Sequence, residues 1–233
     1  MTMIDYVFEP GLIRSLPVAD SSARFPVARV FCLGRNYHWG DSQNAPREMP
    51  AFFMKPATSV IDAVGELEFP PLTEQFCHEI ELVVAIGTGG FNIDEAHALD
   101  HVWGYAAGLD LTRRDLQMAA KAVGQPWEAA KAFDGSAPIS PIQPASILGH
   151  PGQGALWLNV NGVERQRSDL ESQIWSVGEI VSRLSQSIRL IPGDLIMTGT
   201  PPGVDVLQPG DVISAGIAGI ARFEVRIGGR RAA

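Results

Sequence analysis

Two glutamates separated by a single residue, Glu79 and Glu81, lie in the first half of the apolar stretch HEIELVVAIG. The valines and isoleucines that follow predict a β-strand. Because strand side chains alternate between faces, the two carboxylates would project on the same side, about 6–7 Å apart. Charged side chains are mostly exposed, so an edge strand with its acidic face in water is the ordinary interpretation of this pattern. A cation shared by the two carboxylates is the alternative.

A third carboxylate, Asp110, ends a second apolar run, GYAAGLD, immediately before a predicted helix. A residue between a strand end and a helix start is presented at a cleft by rigid elements. Three carboxylates from two strands would repel one another strongly unless a cation lay among them. Oxygen ligands without His or Cys favour a hard ion. The sequence therefore predicts a site for Mg²⁺ or Mn²⁺, with Ca²⁺ as a further option.

The helix after Asp110 offers groups that could bind whatever the ion holds. Arg114 and Gln117 are three residues apart and therefore share a helix face. A solvated helix face is the alternative interpretation of this pair. Lys131 lies between alanines in the segment WEAAKAFDGSAP, where charge is low. Lysines are usually surface residues, and only these surroundings suggest a role for it.

Two helices are predicted from their end signals. In TRRDLQMAAKAVG, Thr112 and Asp115 form a capping arrangement and Gly124 stands at the end. In SVGEIVSRLSQSI, Ser176 and Glu179 form a capping box, and an apolar stripe follows at helical spacing. Both helices are therefore expected to be anchored at their first turn.

Strand-like runs outnumber the helices. The tripeptide PGD occurs twice, at 192–194 and 209–211, and predicts tight turns that enter strands. The turn-prone stretch GRNYHWGDSQNAPREMP predicts a long loop between two strands. Few helices among about ten or more short strands indicate a β-rich α+β class, because a doubly wound sheet needs helices that alternate regularly with strands.

Composition excludes several classes of function. The 233 residues are 45% hydrophobic and 19% charged, which suits a globular core and argues against disorder. The net charge of −8 and the pI near 5.1 leave no global field to attract nucleic acid or an anionic membrane. No apolar run reaches the ~18–20 residues of a membrane span, and the first residues lack a signal-peptide pattern. We predict a cytoplasmic protein without nucleic-acid or membrane partners.

Seven short segments occur along the chain in a consistent order. They are GRNY (34–37), FMKP (53–56), HEIELVVAIG (78–87), GYAAGLDLTRRDLQ (104–117), AKAFD (130–134), LWLNVNG (156–162) and GDLIMTGTPPGV (193–204). In this combination the chain resembles the fumarylacetoacetate hydrolase family, and within it the short bacterial acylpyruvate hydrolases.

The resemblance implies a fold, an assembly and a domain division. The expected fold is a mixed β-sandwich roll, usually found as a homodimer. The catalytic domain would cover residues 28–228 and follow an N-terminal extension, residues 1–27, whose Pro- and Ser-rich part predicts a loose segment.

The resemblance also assigns roles to residues. It implies a divalent ion held by Glu79, Glu81 and Asp110, the set already chosen on physical grounds. Four residues match substrate-binding positions and two belong to a loop that borders the site: Arg114, Gln117, Lys131 and Thr200, then Arg35 and Tyr37.

The implied reaction is hydrolysis of a carbon–carbon bond in a small 2,4-dioxo acid. The carboxylate and 2-oxo group would chelate the ion, and hydroxide attack at the 4-carbonyl would expel pyruvate enolate, stabilised by the ion and by Lys131. Fumarylpyruvate or maleylpyruvate would give pyruvate and a dicarboxylic acid, as in gentisate-type degradation of aromatic compounds.

The chain departs from the family pattern in the loop. Members commonly read NY-x-x-H-x-x-E, with a histidine and a glutamate that activate water. Here Gly40 occupies the histidine position and Gln43 the glutamate position. We predict that His38, the only histidine of the loop, acts as the catalytic base together with Asp41 or Glu48.

Two other functions stay open at this point. A decarboxylase, lyase or isomerase of an oxaloacetate-like 2-oxo dicarboxylic acid would need the enolate-stabilising centre but no activated water. A ligand-binding protein without catalytic activity is the third possibility, and the intact metal-ligand pattern argues against it.

Overall fold

Strands dominate the computed structural model, which describes residues 6–9, 11–39 and 46–230. The strands are β1 (Ser15–Pro17), β2 (Arg24–Pro26), β3 (Val30–Gly34), β4 (Ala51–Lys55), β5 (Val60–Asp62), β6 (Gly65–Phe69), β7 (Phe76–Cys77), β8 (Ile80–Ile86), β9 (Val102–Leu109), β10 (Thr112–Arg113), β11 (Ala137–Ile139), β12 (Gln143–Pro144), β13 (Ala155–Val160), β14 (Val163–Asp169), β15 (Leu195–Met197), β16 (Val212–Ile217) and β17 (Ala221–Arg230). The α-helices are α1 (Arg114–Ala122), α2 (Glu128–Lys131), α3 (Ala145–Leu148) and α4 (Val177–Ser187), and short 3₁₀ helices cover Ala57–Ser59, Glu95–His101 and Leu170–Ser172. The predicted β-rich α+β class is confirmed.

Two mixed sheets form the body of the protein. The larger has eight strands in the order β4-β3-β15-β8-β9-β11-β5, with β12 paired to β9. The smaller has five strands in the order β14-β13-β16-β17-β6. The pairs β15–β3, β11–β5 and β17–β6 are parallel and the remaining pairs of these two sheets are antiparallel. Among the described residues, no helix is long and apolar enough to cross a bilayer.

The core lies on both faces of β8. Leu82 and Val84 point into the cluster that joins the two sheets, while Val83 and Ala85 pack on the other side, against the N-terminal strands. Every residue of β8 is buried, and the strand runs between β15 and β9. The interpretation of this segment as an edge strand with its acidic face in water is therefore wrong, whereas the predicted mixed β-sandwich roll is confirmed.

The N-terminal segment is more regular than its composition predicted. Strands β1 and β2 pair with each other, and Leu16 and Phe25 are buried beside Val30 in the second apolar cluster. Val18 forms a bridge to Ile142. The segment from Pro10 to Pro26 was predicted to be loose, and this prediction is wrong for Ser15–Pro17 and Arg24–Pro26, because their apolar side chains cover one face of the larger sheet. Residues 1–5 and 10 lie outside the described part of the chain.

One of the two predicted helix caps is present. The Ser176 side chain accepts from the Glu179 amide, and the Glu179 carboxylate accepts from the Ser176 amide, so the capping box of α4 is confirmed. The buried residues of this helix include the predicted stripe from Val177 to Leu184.

The cap predicted for α1 is wrong. The helix begins after Arg113, and Thr112 belongs to β10, where it pairs with Cys77. The Asp115 carboxylate accepts hydrogen bonds from the Thr73 hydroxyl (2.6 Å) and the Glu74 amide (2.8 Å). Tertiary partners from the preceding loop thus replace the local cap.

Glycines in left-handed conformations shape the turns that carry the site. Both PGD segments form turns into strands, with φ of +96° at Gly193 and +90° at Gly210, as predicted. Farther along the loop after β15, Gly203 has φ +104°, and it lies so close to β14 that an added Cβ would overlap the Arg165 carbonyl oxygen. This contact joins the loop of the larger sheet to the smaller sheet.

We expect Gly203→Ala to destabilise the protein more than Gly162→Ala. Gly162 also has positive φ (+77°), but an added Cβ would meet nothing within 4 Å there, whereas at Gly203 it would overlap the Arg165 carbonyl oxygen. Gly162→Ala is the control, and it should lower the free energy of unfolding by about 1–2 kcal/mol because of its backbone conformation alone. Gly203→Ala should lower it by about 1–3 kcal/mol more because of the overlap. Urea unfolding monitored by fluorescence measures both values. Equal losses would mean that the loop can move away from β14.

Candidate functional site

Glu79, Glu81 and Asp110 converge at one end of the paired strands β8 and β9. In this antiparallel pair Glu81 lies opposite Gly108, and the Asp110 amide donates to the Glu79 carbonyl at 2.8 Å, so Asp110 faces Glu79 directly. One ligand oxygen from each of the three carboxylates lies within 4.8 Å of the others. All three side chains are buried, with residue exposures of 7%, 2% and 1%. The predicted convergence of these carboxylates is confirmed.

Two lysines enter the same cluster. The Lys131 ammonium donates to Glu79 Oε2 (2.8 Å) and to Asp110 Oδ2 (2.6 Å). Lys55 Nζ lies 2.8 Å from Asp110 Oδ1 and also donates to the Ser136 hydroxyl (3.0 Å) and to the Lys131 carbonyl. Lys55 was not predicted, although it belongs to the FMKP segment. A lysine that ends an apolar strand was the available signal, because such a side chain must find a partner when it is buried.

Glu81 is the carboxyl of this cluster that no ion pair compensates within the described residues. Burial, together with the charges of Asp110 and Glu79, raises the pKa of Glu81 well above its ordinary value. Burial also opposes ionisation of Asp110, but Lys131 and Lys55 outweigh it and lower the pKa of that carboxyl. Glu81 forms no ion pair within the described residues, and its Oε2 accepts from the Gly199 amide at 2.7 Å. Buried oxygens from three carboxyl groups, one of them outside any ion pair, are a donor set that fits a hard divalent cation.

Arg114 and Gln117 border the carboxylates. Arg114 Nη1 donates to Gln117 Oε1 at 2.9 Å and lies 3.6 Å from Glu79 Oε1. Gln117 is buried and Arg114 partly buried, so the α1 face that carries them is turned toward the cluster rather than toward bulk water.

Gln166 joins β8 to the TGTP loop, residues 198–201. A role for this residue was not predicted from the sequence. Its Oε1 lies 2.9 Å from His78 Nδ1 and accepts from the Ile80 amide at 3.2 Å. Its Nε2 donates to the Thr200 hydroxyl and to the Pro201 carbonyl, both at 2.9 Å. The Thr200 hydroxyl in turn donates to the Ile80 carbonyl at 2.8 Å. Charged residues flank Gln166 in β14, so no sequence pattern distinguishes it from a surface glutamine.

The segment after β3 is fixed to the same loops by Asn36. Its Nδ2 donates to the carbonyls of Trp175 (3.1 Å) and Thr198 (2.8 Å), and its Oδ1 accepts from the Trp175 amide at 2.7 Å. Next to it, Arg35 has a left-handed φ of +60° and pairs with Glu48 at 3.4 Å on the surface. Tyr37 is buried. The loop therefore leaves β3 in a defined direction, toward the carboxylates.

A single cavity of about 1340 Å³ brings the predicted residues together. Its lining includes all of them: Arg35, Tyr37, His38, Glu79, Glu81, Asp110, Arg114, Gln117, Lys131 and Thr200. Glu48, one of the two proposed partners of His38, also lines it. Asp41, the other one, lies outside the described residues together with Gly40 and Gln43. The cavity thus has carboxylates and ammoniums at its buried end and cationic and aromatic side chains along its walls.

The protein combines a mixed β-roll with a buried cluster of carboxylates that opens onto one large cavity. These features define a class of enzyme with a divalent-metal site held by oxygen ligands. Within that class, the chain belongs to the fumarylacetoacetate hydrolase family, because its residues 29–228 match the protein family described as fumarylacetoacetate (FAA) hydrolase C-terminal.

Similar proteins cover nearly all of this region. The fumarylpyruvate hydrolase of a Ralstonia species is 40% identical over 181 residues, which are 78% of this chain and 94% of that protein. Oxaloacetate tautomerase FAHD1, mitochondrial, of Arabidopsis thaliana is 38% identical over 198 residues, or 84% of this chain and 89% of its own length. The crystal structure of fumarylpyruvate hydrolase from Pseudomonas aeruginosa, in complex with Mn²⁺ and pyruvate, matches with a TM-score of 0.92 and 47% identity, covering 96% of this chain and 99% of that one.

We expect Glu81→Gln to raise the melting temperature in EDTA, because the amide removes one of three crowded charges and still accepts the Gly199 N–H. Each kcal/mol gained in the free energy of unfolding should raise the melting temperature by about 2–4 °C. The pKa of Glu81 is raised in the folded state, so ionisation costs the wild type stability as pH rises above the unfolded value of 4.5. The advantage of the variant should therefore grow as the pH rises above about 5.

Added Mn²⁺ provides the second half of this measurement. It should stabilise the wild type by mass action and stabilise Glu81→Gln much less. Glu224→Gln changes an exposed glutamate of β17 and serves as the charge-matched control. A lower melting temperature of Glu81→Gln in EDTA, or equal stabilisation of both proteins by Mn²⁺, would contradict a metal-ligand role.

Proposed function

We propose that this enzyme is a metal-dependent hydrolase of acylpyruvates, which cleaves fumarylpyruvate or maleylpyruvate to pyruvate and a dicarboxylic acid. The observation that carries the proposal is the single cavity onto which the carboxylate centre, Lys131, Arg114 and His38 all open. Similarity to two proteins named fumarylpyruvate hydrolase supports the reaction, and the Mn²⁺ and pyruvate in one of them support the cofactor and the product.

Glu79, Glu81 and Asp110 would hold the cofactor, for which we propose Mg²⁺ or Mn²⁺. Such an ion supplies a Lewis acid that polarises the oxo groups of the substrate and lowers the pKa of water. Arg114, Gln117 and Thr200 would bind the carboxylate end of the substrate beside this centre, and their positions on α1 and the TGTP loop suit that role.

Lys131 would stabilise negative charge on the departing enolate. Burial alone would lower the pKa of its ammonium, but Asp110 and Glu79 outweigh burial and raise it, so the side chain stays protonated. Two of its three N–H groups donate to these carboxylates, which leaves one for a substrate oxygen. A permanently protonated lysine is a donor and an electrostatic stabiliser rather than a base.

His38 is the proposed base. It is partly buried, lines the cavity and follows the segment that Asn36 holds in place. Histidine is the side chain most often used as a general base near neutral pH. Glu48 lies on the same cavity and is one candidate to orient it, and Asp41 is the other.

The test of function is pyruvate release. The purified protein, loaded with Mn²⁺ or Mg²⁺, is incubated with fumarylpyruvate, maleylpyruvate and acetylpyruvate, and pyruvate is measured by coupled reduction. We expect release from at least one acylpyruvate, abolished by EDTA and restored by the ion. No release from any of them would refute the hydrolase.

Tautomerisation or decarboxylation of oxaloacetate is the second candidate. The similarity to proteins named oxaloacetate tautomerase favours it, and so does the replacement of the expected loop histidine and glutamate by Gly40 and Gln43. Neither reaction needs an activated water, so a changed loop would matter less. Enol absorbance and CO₂ release from oxaloacetate, measured beside pyruvate release from acylpyruvates, separate the two functions.

The assembly and location stay predictions. We propose a homodimer in the cytoplasm, to be checked by light scattering and by fractionation. The similar FAHD1 proteins are named as mitochondrial.

For Lys131→Met we expect turnover to fall by roughly 10²–10³, as is typical when one well-placed electrostatic stabiliser is lost. The methionine keeps an apolar stem of similar length but cannot donate to a substrate oxygen. Steady-state kinetics on the preferred acylpyruvate measures the loss, and Mn²⁺ titration by calorimetry checks that the ion still binds. Turnover within a few-fold of the wild type would make Lys131 a structural residue.

For His38→Ala we expect acylpyruvate hydrolysis to fall by roughly 10² or more, the usual contribution of a general base. Pyruvate and Mn²⁺ should still bind. His97→Ala is the matched control, because His97 is exposed and lies outside the cavity. Unchanged hydrolysis in His38→Ala would place the base elsewhere in the protein.

A further inference from the structure

The chain has three lysines, and all of them lie at this cavity or at the carboxylate centre beneath it. Lys55 and Lys131 pair with buried carboxylates. Lys121 lines the cavity without an ion pair to any carboxylate of the described residues. Its ammonium instead lies 5.2 Å from the ring centroid of Trp127. It is therefore a cation available to an anionic ligand.

Lys121 lies farther along α1 from the carboxylate centre than Arg114 does. Arg114, Gln117, Met118 and Lys121 all line the cavity, at the three- and four-residue spacings of a single helix face. Arg114 lies beside Glu79 at 3.6 Å. Lys121 follows seven residues later, which is about 10 Å along the helix axis. The helix face thus presents one cation near the metal ligands and another about two turns outward.

Aromatic side chains form the wall between the two cationic ends. The Lys131 ammonium lies 5.4 Å from the ring centroid of Phe53, and the Phe53 and Trp127 rings contact each other edge to face at 4.9 Å. Trp127 then contacts Lys121. All of these residues line the cavity. Cations at both ends and flat apolar surfaces between them complement a ligand with an anionic group at each end and an unsaturated middle.

The electrostatic setting of Lys121 agrees with an anion site. Burial lowers the pKa of its ammonium, and the positive charges of Arg114, Lys131 and Arg35 lower it further. Cationic side chains placed close together repel one another and destabilise the empty cavity. A bound anion would offset this repulsion, so such a group of cations favours anion binding.

We propose that Lys121, with Trp127 beside it, binds the terminal carboxylate of a dicarboxylic acyl group and so makes the enzyme selective for acylpyruvates that carry one. This inference rests on the proposed function, which places the 2-oxo acid end of the substrate at the carboxylate centre. The acyl chain would then follow Phe53 and Trp127 outward to Lys121.

A pair of uncleaved ligands tests the inference without relying on turnover. The acids 2-oxoheptanedioate and 2-oxoheptanoate share one chain length and differ only in the terminal carboxylate, and neither carries the 4-oxo group at which hydrolysis occurs. Calorimetric titration of the Mn²⁺-loaded enzyme gives the ratio of their Kd values. We expect the wild type to prefer the diacid by about tenfold or more, which corresponds to ~1.4 kcal/mol. Lys121→Met should bring the ratio close to one, and Lys121→Arg should keep most of it.

Arg222→Met is the matched control. It also removes one cation from the face of an indole, at Trp157 with 5.6 Å to the ring centroid, and neither residue lines the cavity. The control should keep the wild-type ratio. A wild type without preference, or a Lys121→Met ratio within twofold of the wild type, would overturn the inference even if pyruvate is released. A preserved effect of Lys121 in a protein that releases no pyruvate would instead refute the hydrolase alone.

Discussion

The charge balance of one buried cluster governs the architecture of this protein. Three carboxylates and two ammoniums meet there, delivered by the beginning of β8, the ends of β9 and β4 and the last residue of α2. Buried charges are tolerated only when they are paired and hydrogen-bonded. The ends of these elements must therefore place each charged side chain within reach of its partner. Glu81 is the one carboxyl of the three that has no ion pair within the described residues, and its uncompensated oxygens are the physical basis for binding a divalent ion.

The two sheets hold this cluster rigid. Strand β8 is buried on both faces, between the smaller sheet on one side and the N-terminal strands on the other. The carboxylates at its start therefore cannot shift without disturbing two apolar clusters. Gln166 adds a polar connection, since its amide links the backbone beside Glu79 to the Thr200 loop. A site built on such elements is well positioned. The loop that carries His38 is joined to the core at one end by Asn36 and at the other by Arg47, which pairs with Glu179 and lies over the Trp175 ring.

The cavity gives a chain of net charge −8 a place where the proposed dianionic substrate could bind. Its buried end collects the carboxylates, where a metal ion would reverse the local sign, and its walls carry Arg35, Arg114 and Lys121. Local charges in a cleft outweigh the distant surface charges because water screens the latter. The same centre could serve hydrolysis or tautomerisation, since both need an enolate stabilised. Under the proposed function, the loop that carries His38 and the cavity wall that carries Lys121 are the parts expected to distinguish these two reactions in this protein.

Much of the fold and of the site could be read from the sequence, and the reasons are local. Alternation along HEIELVVAIG placed two carboxylates on one strand face, the strand-to-helix position of Asp110 supplied the third, and Ser176 with Glu179 marked the start of α4. The tertiary structure decided what depends on partners distant along the chain. In the folded protein Asp115 accepts a hydrogen bond from Thr73 and does not cap α1. Lys55 is buried against Asp110, and Gln166 of the smaller sheet donates a hydrogen bond to Thr200. Side-chain periodicity follows from backbone geometry within one element, whereas the choice among competing hydrogen-bond and ion-pair partners is made only when separate elements pack together.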